Sequence, residues 1–306
     1  MATLECRLIH ASVACYAIHN GKLDPANPDL QALGLQPGTT PTVFINGPDH
    51  INAGFVAETW DNWVVLAIRG TLPPFTGDFW AWVRDWLQDF EAGPTDWIVN
   101  GQHFGRVETG FATALHSIWP QVMAALGRID LSRKQGILVT GHSKGAAMTF
   151  LAASLLKAKM PHVLVENCCF AAPLTCDAQF RDNYNALGLR PFSVRYQNEY
   201  DLVPYLPWWP SLALLAHAEQ RDRGTTQQLA MANWPAAGNN LYVPMDILRY
   251  IGPHCAIEYG DKAERDAWEA MKYALEHLEF SKIAAAHSAD GRYLHCVCQA
   301  GTCATE

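Results

Sequence analysis

Residues Leu138 to Met148 read LVTGHSKGAAM, an apolar run followed by Gly-His-Ser-Lys-Gly and then by small residues that favour helix. This pattern predicts a strand that turns sharply into a helix, with Gly141 and Gly145 relieving the crowding on either side of Ser143. Active sites of open α/β sheets lie beyond the carboxyl ends of the strands, where this serine would stand. We predict that Ser143 is a nucleophile at a tight elbow; the alternative is a glycine-rich turn that serves packing alone.

Strand-like and helix-like patterns alternate around this elbow. The segment Gly54 to Gly70, GFVAETWDNWVVLAIRG, predicts a hairpin with its turn at Thr59 to Asn62. Apolar runs predict further strands at 136–141, 163–172 and 191–198. Helical patterns lie between and after them, at 110–126, 145–160 and 261–286. Strands separated by helices of this length favour right-handed crossovers and a mainly parallel sheet.

The composition predicts the size of the fold and excludes some partners. The chain has 306 residues, 49% of them hydrophobic, which is enough to bury a large core, so we predict a single domain over residues 1–306. Its net charge of -8 gives no attraction to nucleic acid. Because no segment approaches the roughly 20 uninterrupted apolar residues that span a bilayer, we predict no transmembrane segment.

The two ends of the chain and the cysteine count bear on location. The first 20 residues, MATLECRLIHASVACYAIHN, are interrupted by polar side chains and predict a helix, not a signal peptide. Nine cysteines, an odd number, favour reduced thiols and therefore a cytoplasmic protein. The tail clusters four metal-ligating residue types, His295, Cys296, Cys298 and Cys303. Their spacing does not match paired C-x2-4-C elements, so we predict no metal site there and a buried terminal strand with a loose tail.

A serine nucleophile needs a histidine to take its proton and a carboxylate to orient that histidine. In this type of fold the acid follows the serine and precedes the histidine in the chain. Asp201 follows the strand-like segment at 194–197, in a loop braced by Pro204 and Pro207, and is our candidate acid. Asp177 is the rival carboxylate, but it opens a helical pattern, where an N-cap role explains it.

Five segments in this order resemble the class 3 lipases, a family that includes fungal triacylglycerol lipases and feruloyl esterases. They span Val64 to Pro207 and read VVLAIRGT, GRVETGF, GHSKGAA, FAAPLTCDAQF and DLVPYLP. The resemblance implies an α/β-hydrolase fold, with helices on both faces of a mainly parallel sheet and a lid segment. It also implies that backbone N–H groups of Thr71 and Lys144 form the oxyanion hole, where each donor is typically worth about 3 kcal/mol.

The resemblance also places a lid helix after the oxyanion threonine, where this chain has TLPPFTGDFWAWVRDWLQDF. This segment, 71–90, holds six large aromatic residues that could meet a lipid surface, although such a stripe is as often part of a core. Three positions depart from the family pattern: Glu108 replaces a histidine, Ala146 a glycine and Lys144 a leucine. We expect Lys144 to donate through its backbone while its side chain points elsewhere.

Five histidines follow Asp201, and two of them are serious candidates for the general base. His287 opens HSADGRYL at the end of a helical pattern and resembles the family's late histidine followed by an aromatic residue. His254, in YIGPHCAIEYG, resembles an earlier family histidine that is not catalytic. We predict His287 as the base, with His254 as the alternative. We expect His277 to lie on a helix face, and His217 matches no motif.

Together these features predict a serine hydrolase that acts on apolar acyl esters through an acyl-enzyme intermediate, without cofactor or metal. The expected partners are a small-molecule or lipid ester and, transiently, a lipid interface that the lid contacts. An aryl or feruloyl-type esterase and a phospholipase on the same triad remain alternatives. So do a peptidase and a binding protein that has kept the elbow without its activity.

Overall fold

The computed structural model describes residues 2–47, 50–72, 93–206, 242–277, 282 and 285–300. The strands in these ranges are β1 (Thr42–Asn46), β2 (Asn52–Glu58), β3 (Trp63–Ile68), β4 (Pro94–Val99), β5 (Gln102–Glu108), β6 (Gly136–His142), β7 (Val165–Phe170), β8 (Ser193–Asn198), β9 (Ile247–Ile251) and β10 (Ile257–Tyr259). The helices are α1 (Leu4–Ala14), α2 (Pro28–Leu33), α3 (Thr109–Leu126), α4 (Lys144–Lys159), α5 (Ala178–Ala186), α6 (Gly260–Glu276) and α7 (Leu294–Ala300).

The described strands form an eight-stranded sheet in the order β1-β2-β3-β6-β7-β8-β9-β10 and a two-stranded ribbon, β4-β5. Neighbours from β3 to β9 run parallel, whereas β1, β2 and β10 join the two edges antiparallel. The predicted hairpin at 54–70 is β2 and β3, and the mainly parallel sheet is confirmed.

Helices cover both faces of this sheet because the buried strand side chains alternate between them. In β3, Val64, Leu66 and Ile68 join the core under α3, α4 and α5. Val65 and Ala67 join a second core under α1, α2 and α7. This two-sided burial explains why the strands read as nearly continuous apolar runs. Because β3 and β6 to β9 pair in parallel, their carboxyl ends lie at the same end of the sheet.

The C-terminal region differs from the sequence prediction. Within the long helical pattern at 261–286, α6 runs from Gly260 to Glu276, His277 is in a turn, and the described residues 282, 285 and 286 are again helical. The predicted terminal strand was wrong: residues 294–300 form the helix α7, which packs against α1. Cys296 and Val297 are buried there, whereas the neighbouring Cys298 and Gln299 are partly or fully exposed, which is a helical pattern of burial.

The expectation of reduced thiols was also wrong for four cysteines. Disulfides join Cys6 to Cys298 and Cys255 to Cys296. The first pair is 292 residues apart in sequence, so only the packing of the first helix against the last brings its thiols together. The free cysteines in the described part of the chain are all buried: Cys15, Cys168, Cys169 and Cys176. Among the described residues, no helix combines the length and apolar character needed to cross a membrane.

Candidate active site

The elbow is built by the close approach of β3 to the start of α4. Ser143 lies between β6 and α4 with φ 58° and ψ -127°, a left-handed conformation that costs about 1–3 kcal/mol in a non-glycine residue. A Cβ atom on Gly145 would lie 2.2 Å from the carbonyl oxygen of Ile68, and one on Gly141 would lie 2.6 Å from the Gly145 backbone. Both glycines are therefore required by backbone contact, as the sequence pattern predicted.

Ser143, His287 and Asp201 form one line of hydrogen bonds. The Ser143 Oγ atom lies 3.0 Å from Nε2 of His287. Nδ1 of His287 lies 3.1 Å from each carboxylate oxygen of Asp201. If Nδ1–H donates to the carboxylate, Nε2 carries the lone pair that accepts the serine proton. All three residues are buried, Asp201 completely.

Backbone and side-chain donors hold the Asp201 carboxylate in place. The carboxylate accepts the N–H of Val203 at 3.0 Å and the Tyr293 hydroxyl at 2.7 Å. The Tyr293 oxygen in turn accepts the N–H of Asn198 at 2.9 Å. Burial, followed by the charge of Asp201, raises the pKa of Tyr293, so the hydroxyl stays protonated and donates. The acid is thereby fixed to the end of β8 and to the segment that follows His287.

His142, the residue before Ser143, packs against His287. Its ring centroid lies 4.7 Å from that of His287, and its Nδ1 lies 2.8 Å from the Tyr16 hydroxyl. Burial, and then the neighbouring His287, hold the pKa of His142 well below its usual value. His142 is therefore neutral, and it adds no positive charge beside the imidazole of His287.

The two residues expected in the oxyanion hole border the serine. A Cβ atom on Gly70 would lie 3.1 Å from Cβ of Ser143, so the chain that leads into Thr71 passes directly over the nucleophile. Lys144 is the first residue of α4, and its ammonium donates to Oδ1 of Asn52 at 2.8 Å. As expected, the lysine side chain is directed toward β2, which leaves its backbone N–H as the group next to Ser143.

The rival residues have other positions. Asp177 caps α5 by accepting the N–H of Phe180 at 2.8 Å. Glu108 caps α3, which gives this departure from the family pattern a structural role. His254 is exposed in a turn with φ 57°. The exposed ring of His277 stacks on Tyr273 at 3.9 Å, whereas His217 lies outside the described residues, as does most of the lid segment at 71–90.

Comparisons with known proteins show which proteins this chain resembles. Residues 65–210 match the family model described as lipase (class 3). These residues, a little under half of the chain, are therefore similar to the class 3 lipases. Together with the lipase structures below, this similarity makes the chain a carboxylic ester hydrolase. The match contains Ser143 and Asp201 but ends well before His287.

Solved structures of lipases share the fold. A mono- and diacylglycerol lipase from Aspergillus oryzae is 19% identical, with 85% of this chain and 83% of that chain covered and a TM-score of 0.52. The native propeptide complex of Rhizomucor miehei lipase is 17% identical, with 90% and 77% covered and a TM-score of 0.59. A triacylglycerol lipase whose catalytic centre is described as a serine protease triad is 15% identical, with 85% and 87% covered and a TM-score of 0.59. No curated protein matches the chain.

The α/β-hydrolase fold predicted from the sequence is thus confirmed. The sequence analysis missed Tyr293 and Tyr16, which hydrogen-bond to Asp201 and His142. Tyr293 is the aromatic residue in HSADGRYL, and that segment was the available signal. Nothing in the sequence around Tyr16 indicates its partner, because 126 residues separate it from His142.

Proposed function

We propose that this chain hydrolyses esters that carry apolar acyl groups and that Ser143 forms the acyl-enzyme intermediate. The observation that carries the proposal is the line of hydrogen bonds from Ser143 through His287 to Asp201, on an elbow with positive φ. A buried carboxylate, an imidazole and a hydroxyl in this order are what nucleophilic acyl transfer requires.

The reaction would proceed in two halves. Ser143 Oγ attacks the ester carbonyl while its proton passes to Nε2 of His287, and Asp201 stabilises the imidazolium that forms. Backbone N–H groups of Thr71 and Lys144 are the proposed donors to the tetrahedral oxyanion. Collapse expels the alcohol, which takes the proton from Nε2. Water then attacks the acyl-enzyme by the same route and releases the carboxylic acid, so no redox step or external proton donor is needed.

A fluorophosphonate probe tests the nucleophile directly, because it reacts with a serine hydroxyl only when a base activates it. We expect stoichiometric labelling of the wild-type protein, with the adduct mapped to Ser143 by peptide mass spectrometry. Absence of labelling in the folded protein would instead support the alternative of a binding protein that has kept the elbow. Cleavage of peptides in preference to esters would favour a peptidase.

The acyl preference needs a second measurement. A series of p-nitrophenyl esters from acetate to palmitate should give rising kcat/KM with chain length for a lipase. A maximum at short chains or at hydroxycinnamoyl esters would favour an aryl or feruloyl-type esterase. Hydrolysis of phosphatidylcholine in preference to triacylglycerol would favour a phospholipase.

The proposed contact with a lipid interface rests on the sequence of segment 71–90, which holds six large aromatic residues. If this segment covers the site, long-chain hydrolysis should increase sharply when the substrate passes its critical micelle concentration. If the rate of long-chain hydrolysis does not change at this concentration, the aromatic residues are better explained as part of the core.

The cytoplasmic location stays a prediction, and the two disulfides remove the argument from reduced thiols. Free thiols can be alkylated in the cells that produce the protein, before lysis. Mass spectrometry would then show whether these four cysteines are oxidised in those cells.

A further inference from the structure

A cluster of metal-ligating side chains lies on the far side of the sheet from α3, α4 and α5, where α1 meets α7. Cys6 and His10 are four residues apart on α1 and therefore share one helix face. Cys298 faces them from α7. One ligand atom from each of the three residues lies within 4.8 Å of the others. Two sulfurs and an imidazole nitrogen form a donor set typical of zinc sites.

His10, one of the three residues of this cluster, has a carboxylate behind its ring. Its Nδ1 atom lies 2.7 Å from Oδ1 of Asp29, in the first turn of α2. If Nδ1–H donates to this carboxylate, the lone pair remains on Nε2. A carboxylate behind the imidazole fixes the ring in zinc sites and makes the ligand nitrogen more basic. Asp29 therefore stands behind His10 as a carboxylate stands behind the histidine of a zinc site.

The cluster opens into a cleft that gives access to solvent. This cleft has a volume of about 450 Å³, and its lining includes His10, Cys298, His295 and Asp290. Because the cleft is open to solvent, a water molecule can complete a tetrahedral site. Asp290 adds negative charge to the same cleft. An ion could therefore enter without unfolding of the surrounding helices.

In the structure Cys6 and Cys298 are joined as a disulfide, and disulfide sulfurs are not zinc ligands. We propose that reduction of this disulfide converts the cluster into a Zn²⁺ site formed by Cys6, Cys298 and His10. A dithiol supplies two electrons and two protons, which turn the disulfide into two thiols, while the dithiol itself becomes a cyclic disulfide. Zn²⁺ then displaces both thiol protons and binds the two thiolates.

The two states cross-link the same pair of helices. The disulfide and the metal each tie α1 to α7, across a sequence separation of 292 residues. The site thus exchanges a covalent bond for a metal when the redox conditions change, and the first and last helices stay connected. This inference is independent of the ester hydrolase activity.

The test uses the full chain, reduced with a dithiol and then freed of it by gel filtration under nitrogen. Titration with Co²⁺ should give one bound ion per chain, with the near-ultraviolet charge-transfer band of thiolate ligands and the visible bands of tetrahedral Co²⁺. Zn²⁺ should displace the ion and raise the Tm of the reduced protein by roughly 5 °C at a hundredfold excess over Kd. The oxidised protein should show neither effect.

Matched variants separate this cluster from the other thiols. We expect the Cys6→Ser/Cys298→Ser protein to lose the thiolate band, while Cys255→Ser/Cys296→Ser, which removes the other disulfide, keeps it. His10→Gln should weaken Co²⁺ binding at least ~10-fold, and Asp29→Asn by ~10–100-fold. His19→Gln, an exposed histidine near the end of α1, is the control and should change nothing.

Circular dichroism decides whether each reduced protein is folded. A native spectrum with no thiolate band would overturn the proposal, as would equal Co²⁺ affinity of the His10→Gln and His19→Gln proteins. The proposal also fails if reduction unfolds the chain and Zn²⁺ does not restore the native spectrum.

Discussion

The nucleophile elbow and the C-terminal segment supply different parts of the same candidate triad, and they are held in different ways. The elbow is fixed by local backbone contact, with β3, β6 and the start of α4 so close that glycine is required at two positions. The segment from Ala286 to Ala300 carries His287 and Tyr293 and is anchored at a distance, by two disulfides and by bonds to Asp201 and Asn198. The elbow should therefore tolerate the loss of distant contacts, whereas the position of the base should depend on them.

The largest effect should come from the elbow itself. Ser143→Ala removes the nucleophile but fits the same space, so kcat should fall by roughly 10⁵-fold with an unchanged Tm. Ser154→Ala is the matched control, since Ser154 is also buried on α4 and its Oγ accepts the Trp97 indole N–H at 3.2 Å. Rates of ester hydrolysis, measured at equal concentrations of folded protein, distinguish the two variants. Substantial turnover by Ser143→Ala would mean that another group attacks the ester.

The next effect tests the C-terminal segment. His287→Asn keeps much of the side-chain shape but cannot accept and return the serine proton, so kcat should fall by about 10⁴-fold. The control is His254→Asn, which changes an exposed histidine in a turn and should leave kcat within about twofold. Steady-state kinetics and thermal melts of both proteins provide the comparison. The opposite ranking would move the base to His254.

Tyr293 links the two regions and should have an intermediate effect. Tyr293→Phe keeps the ring between Phe170 and His142 but removes the donor to Asp201, so kcat should fall ~10-fold with little change in KM. Without this donor the Asp201 carboxylate holds the imidazolium more strongly, so the acid limb of the kcat/KM profile should shift to higher pH. Tyr184→Phe is the control, because its hydroxyl lies 2.8 Å from Ser193 Oγ, away from the triad.

An unshifted pH profile for Tyr293→Phe, together with a Tm loss equal to that of Tyr184→Phe, would show that Tyr293 contributes to packing alone and does not act through Asp201.

The smallest effect on rate should come from the anchor of the C-terminal segment. Cys255→Ser/Cys296→Ser opens a disulfide that closes 41 residues and should cost about 3 kcal/mol in the free energy of unfolding. Since α7 is too short to be stable alone, His287 should be held less firmly, and kcat should fall a few-fold. Urea melts and the rate of fluorophosphonate labelling measure both quantities. Cys176→Ala, at a buried free cysteine, controls for loss of core packing. Unchanged stability and labelling would show that packing alone positions the base.

Most of the architecture could be predicted from the sequence because it is encoded locally. The apolar run of β3, the helical pattern of α3 and the glycines around Ser143 each follow from interactions between residues near one another in the chain. The terminal helix was mistaken for a strand because a seven-residue run with cysteine and valine has no clear period of its own. Its helical conformation depends on packing against α1, which a local pattern does not contain.

The elbow, the parallel sheet and a short set of candidate residues follow from local sequence, because strand and helix periodicity and turn chemistry act over a few neighbouring positions. Long-range packing brings His287 next to Ser143, gives Asp201 its tyrosine donor and joins Cys6 to Cys298. These contacts join residues separated by 144, 92 and 292 positions. Such contacts form when helices and strands pack on a common sheet, so their partners are set by the whole core and not by any segment.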